Sequence, residues 1–264
     1  MKKFAFLLIF LLGTAISAHE FWLEPQRFHL NKGETLKLKF LVGEDFTGEN
    51  WKGNRSSVQS LKLYYNGITD HLEALIPDSL SGDSLKLQFF DEGTAMIAYQ
   101  STNKSITLAP DKFLEYLKED GLYNAISYRE SHQENDSSGR ELYQRCAKTI
   151  FQVGTSTDGS FKHVCGLPTE LIPVTNPYTL KKGQDMVVKI LVEGKPTEGL
   201  KIRTWYRENG KTVKNDLVSD VDGMVRFPLS LSGKWMVSNV TMIRLENNSS
   251  ADWQSYWASL TWGY

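Results

Sequence analysis

Period-two alternation runs through most of the chain. Leu36, Leu38, Phe40 and Val42 fall on one side of a strand, with Lys37 and Lys39 on the other, the spacing of a half-buried strand. Leu61, Leu63 and Tyr65 repeat it before Asn66-Gly67. Leu85, Leu87 and Phe89 lead through Asp91-Glu92-Gly93 to Ala95, Ile97 and Tyr99. Beyond the middle of the chain, Leu200, Ile202, Thr204 and Tyr206 run up to Asn209-Gly210. Asp222-Gly223 introduces Val225, Phe227 and Leu229, and Tyr256, Ala258, Leu260 and Trp262 close the sequence. Short strands punctuated by turn dipeptides predict an all-β fold of antiparallel sandwiches.

One segment breaks the rhythm. From Pro110 to Gly121 the apolar positions Phe113, Leu114 and Leu117 share a helical face. Proline at the start and glycine at the end suit one short helix. A polar stretch, Arg129 to Arg140, then reads as a surface loop. Pro168, Pro173 and Pro177 interrupt strand pairing and mark a boundary. The expected organisation is an N-terminal β-sandwich over 19–168 carrying the helix, and a C-terminal one over 169–264.

The first 18 residues read as a cleavable signal peptide. Lys2 and Lys3 precede the apolar run Phe4 to Leu12, and small residues lead to Ala18, the order of a secretory leader. No later apolar stretch approaches the roughly 20 residues of a membrane helix. The expected location is the periplasm or outside the cell. Charge is balanced, 30 basic against 31 acidic residues, which argues against a nucleic-acid partner.

Cys146 and Cys165 are the two cysteines, and an oxidising compartment favours one disulfide between them. Thr149, Phe151 and Val153 alternate before the turn Thr157-Asp158-Gly159-Ser160. Phe161, His163 and Cys165 alternate after it, so a hairpin would set the cysteines nearly opposite each other. Alternatively, His163 and Cys165 share a strand face and offer metal ligands.

Enzyme signatures are scarce: there is no phosphate loop, nucleophile elbow, helical zinc-histidine pair or dinucleotide fingerprint. A binding protein is the expectation. The unusual position is His19. Cleavage after Ala18 would give it a free α-amine beside its imidazole, and the amine and Nδ1 can chelate one ion. Their ordinary pKa values, near 7.7–8 and 6.5, let a metal displace the protons at neutral pH. Nitrogen ligands suit nickel, cobalt, copper and zinc, with copper bound tightest on affinity alone. Glu20 and Glu24 could orient the ring as outer hydrogen-bond partners. His29, His71, His132 and His163 are isolated in sequence. The rival expectation is an interaction module for protein or polysaccharide, with Trp205, Tyr206, Trp253, Tyr256 and Trp257 as aromatic surface.

His19-Glu20-Phe21-Trp22-Leu23-Glu24-Pro25 directly after a leader resembles the start of a bacterial periplasmic family of unknown function, described as nickel-uptake substrate-specific (NikM-like). The likeness continues through Phe113-Leu114-Glu115-Tyr116-Leu117 and Gly139-Arg140-Glu141-Leu142-Tyr143-Gln144-Arg145 with Lys148-Thr149. It extends through Gly166-Leu167-Pro168-Thr169-Glu170-Leu171-Ile172-Pro173, Gly233-Lys234-Trp235-Met236-Val237, and Trp253-Gln254-Ser255-Tyr256-Trp257. The resemblance implies two immunoglobulin-like β-domains. It also implies an accessory role in nickel or cobalt uptake beside a membrane transport system, with His19 as a ligand. Relatives place a histidine just before the methionine of the segment after Trp235, where this chain has Thr241 ahead of Met242.

Overall fold

The computed structural model describes residues 19–264; the leader expected over 1–18 lies outside them. Nine strands come first: β1 (Glu20–Pro25), β2 (His29–Leu30), β3 (Thr35–Glu44), β4 (Thr47–Asn50), β5 (Val58–Tyr65), β6 (Ile68–His71), β7 (Ser84–Gln88), β8 (Gly93–Ser101) and β9 (Lys104–Leu108). Two helices follow, α1 (Pro110–Glu119) and α2 (Tyr123–Ser131). The chain continues through β10 (Gly139–Val153), β11 (Thr169–Pro173), β12 (Asp185–Val192), β13 (Lys195–Pro196), β14 (Lys201–Glu208) and β15 (Lys211–Val218). It ends with β16 (Met224–Pro228), β17 (Lys234–Arg244) and β18 (Trp253–Gly263).

The described residues form an all-β sandwich of three sheets. A ten-stranded sheet runs β15-β14-β17-β18-β10-β8-β5-β6, with β2 and β9 also pairing with β10. A four-stranded sheet places β3 against β1, β4 and β7, and another places β12 against β11, β13 and β16. The long sheet is packed on both faces. Ala95, Ile97 and Tyr99 of β8 join Phe21, Leu23, Leu38 and Phe40 in one core. Met96 and Ala98 join Val188, Ile190, Trp235 and Trp262 in another. Alternation in β8 therefore separates two cores and not core from solvent.

Several expectations change here. Two helices replace the one expected. Gly121 at φ +69° ends α1 in the left-handed region that favours glycine, and α2 begins two residues later. It runs into the stretch expected to be loop. Its Arg129 is buried, donates to the carbonyls of Asn135 and Ser137, and lies over the Phe113 ring; these contacts tie down the loop that follows. The hairpin expected between 149 and 165 does not form. Residues Ser160–Lys162 make a 3-10 turn, and β10 instead pairs in parallel with β18, Glu141 opposite Trp253 through Thr149 opposite Thr261. That parallel pair carries the long sheet across residue 168.

Candidate functional site

His19 stands one residue ahead of β1 with its side chain half exposed, and its Nε2 is 3.7 Å from Oε1 of Glu44 at the end of β3. Both line an open groove of about 920 Å³. The β3–β4 hairpin forms one side, through Glu44, Glu49 and the following Trp51 and Lys52. Lys104 of β9 and Tyr143 and Arg145 of β10 form the other.

The hairpin turn holds the acidic wall. Asp45 and Phe46 both take positive φ, 50° and 54°, the requirement of a two-residue turn matched to strand twist. A phenylalanine is strained there, and burial offsets the strain: Phe46 packs edge-on to Trp22 at 5.4 Å between ring centroids. Gly48 is needed beneath the same indole, because a Cβ would lie 2.5 Å from the Trp22 ring.

Neither carboxylate expected to orient His19 does so. In a strand, alternate side chains share a face, and Glu20, Trp22 and Glu24 turn away from Phe21. Glu24 accepts from Trp22 Nε1 at 2.9 Å and forms an ion pair with Lys234. Glu20 lines a small enclosed cleft with Asp120, Lys201 and Arg203. Burial, reinforced by Asp120, pushes its carboxyl up to about 8. Asp120, also buried, rises to about 7. The carboxylate beside His19 is Glu44, which sequence reading missed, although strand pairing of Glu20 with Gly43 brings it there.

The other histidines have local partners. His29 meets the Tyr178 ring edge-on, His132 stacks on Tyr128, and His163 stacks on Tyr64 at 4.2 Å; His71 lies 3.5 Å from Glu73. Among the described residues no group of three or more His, Cys, Asp or Glu could hold a metal ion. Cys146 and Cys165 are free thiols. The hairpin expected to set them opposite each other is absent, and no disulfide joins them. Thr241 shares a hydrogen bond with Thr169 of β11. It therefore faces the sheet opposite the one that carries the groove.

Lys148 of β10 is buried. It pairs with Glu170, both side chains 1% exposed. Glu170 also accepts from the backbone N–H groups of Cys165, Gly166 and Leu167, so the pair builds the loop into β11. Of the aromatic residues in the rival reading, Trp205 and Trp253 are buried, and Tyr206, Tyr256 and Trp257 are half-buried.

Fold and site together define an all-β sandwich protein with a charged open groove at the start of its first strand. The profile of the family described as a domain of unknown function (DUF4198) matches residues 16–242, and the chain belongs to that family. No curated protein matches it. Among solved structures, the D0-D1 domain of intimin is 12% identical, with 93% of this chain and 98% of that chain covered and a TM-score of 0.20. The N-terminal four immunoglobulin domains of Dscam1 are 11% identical, covering 91% and 51%, with a TM-score of 0.21. A DUF3823 family protein from Bacteroides uniformis is 8% identical, covering 90% and 96%, also with a TM-score of 0.21. Likenesses this weak carry no argument about function. No helix among the described residues is long and apolar enough to cross a membrane.

Proposed function

We propose that the protein is an exported binding protein that captures a transition-metal ion, nickel or cobalt, at the mouth of this groove. It would hand the ion to a membrane uptake system by ligand exchange, without turnover. The observation that carries the reading is His19 at the groove mouth with Glu44 beside its Nε2. Cleavage after Ala18 would put an α-amine on the same residue, and amine and Nδ1 together make the chelate. A carboxylate near the outer nitrogen suits the usual orientation of a metal-bound imidazole. Because the described residues offer no cluster of three ligating side chains, the amine is indispensable. The remaining positions fall to water, which suits a carrier that must release its ion.

Titration of the exported, processed protein with Ni(II), Co(II) and Cu(II) tests the reading. His19→Ala is expected to weaken binding at least tenfold, and a chain starting at Ala18 should behave like it. Glu44→Gln is expected to weaken binding a few-fold. Equal weak binding by wild type and His19→Ala would leave the other reading, an interaction module that uses the groove for a ligand other than a metal; the groove's size favours that reading.

A further inference from the structure

Arg145 puts a positive charge into the groove wall, and no acceptor meets it. Among the described residues its guanidinium forms no hydrogen bond or ion pair. Its neighbours are two aromatic faces, Phe21 at 4.9 Å and Tyr143 at 5.8 Å from the ring centroids. Other partly or fully buried arginines are satisfied: Arg203 by Asp216 at 2.8 Å, Arg244 by Glu134 at 3.0 Å, and Arg129 by two carbonyls. Removing an arginine charge from water without a partner is costly, and the side chain cannot shed its proton to escape that cost.

The surroundings narrow what such a cation would take. Lys104 lies directly across from Tyr143 in the β9–β10 register, and both belong to the same wall as Arg145. Lys104 has no carboxylate partner among the described residues. The hairpin side carries Glu44 and Glu49 together with Lys52, and neither carboxylate forms an ion pair with Arg145. A groove whose basic groups share its lining with Glu44 and Glu49 disfavours a compact multiply charged anion such as phosphate. It accepts a molecule that offers one carboxylate to the basic wall and keeps the rest of its body in the open volume. The Phe21 and Tyr143 rings flank the guanidinium, and its planar fork matches a carboxylate with two parallel hydrogen bonds.

We propose that Arg145 is the anion-binding residue of this groove and that the groove takes a small organic acid, with one carboxylate held by Arg145 and assisted by Lys104.

Calorimetric titration in metal-free buffer, with the monocarboxylate butyrate as the probe and inorganic phosphate as the comparison, tests the assignment. Saturable butyrate binding is expected. Arg145→Gln should weaken it about tenfold or more, and Arg145→Lys less, since charge remains but the fork is lost. Lys104→Gln, an exposed substitution that leaves the core intact, should weaken it two- to threefold and keeps the test open if Arg145→Gln does not fold. Three results would overturn the proposal: no saturable butyrate binding up to about 10 mM, affinity unchanged in all three variants, or phosphate bound more tightly than butyrate. The probe carries no metal, so failure here leaves the His19 reading standing, and failure of that reading leaves this one standing.

Discussion

At the scale of single residues, the least visible feature in the sequence is the Lys148–Glu170 pair. Lys148 follows Cys146 and Ala147 on β10 and precedes the apolar stretch around Ile150 and Phe151, so alternation leaves a lysine side unassigned. A solvated edge is the ordinary reading. Its true surroundings depend on β11, which reaches it through a loop folded around the Glu170 carboxylate. The two charges satisfy each other, and removing one strands the other. Lys148→Met is therefore expected to cost about 3–5 kcal/mol in denaturant unfolding. Adding Glu170→Gln should recover part of that loss, whereas independent sites would make the two costs add. His19 shows the opposite case. The leader pattern singles it out in the sequence, but nothing there singles out its neighbour Glu44, since strand pairing and not sequence spacing brings the two together.

At the scale of elements, strands were legible wherever alternation met a glycine- or asparagine-bearing turn. The Asn66-Gly67 and Asn209-Gly210 turns join β5 to β6 and β14 to β15 as expected. The β3–β4 hairpin escaped because its turn is Asp45-Phe46, a pair without that signature. It is held by contacts remote in sequence: Phe46 under Trp22, the Lys234 ammonium 4.5 Å from the Phe46 ring, and Thr212 donating to the Asp45 carbonyl at 2.7 Å. Phe46→Ala is expected to lose about 3 kcal/mol or more of stability. Amide exchange should accelerate first in residues 41–50, because that hairpin loses its anchor. The same variant should weaken any ligand that depends on Glu44, while exchange across β14 and β17 stays slow. The parallel pairing of β10 with β18 was illegible for a related reason: period two reports which face a side chain takes, never which distant strand lies alongside.

At the scale of the whole molecule, the sheet that joins both halves is covered on its two faces, and that leaves buried carboxylates near its middle. Glu20 and Asp120 share one cleft. Glu141, hydrogen-bonded by Ser255 and Tyr116, is pushed up to about 7 by burial. For these groups the folded pKa exceeds the unfolded value near 4, so the native state binds more protons and stability falls as pH rises between the two values. The stabilisation is complete below about pH 4 and lost by about pH 8, where Glu20 ionises. Other carboxylates act in the opposite sense. Backbone N–H groups of Thr155 and Ser156 hold Glu92 at about 2, and Arg140 holds Asp252 below its ordinary value, so their contribution disappears in acid. The two opposing sets place maximal stability on the acidic side of neutrality. Melting curves across pH 3–9 should peak there, with Tm declining toward pH 8. Glu20→Gln removes the largest of the three raised groups and should flatten that decline, raising Tm at pH 8 while changing it little at pH 5. A decline of unchanged slope in Glu20→Gln would place the titrating groups elsewhere and remove the cleft as its source.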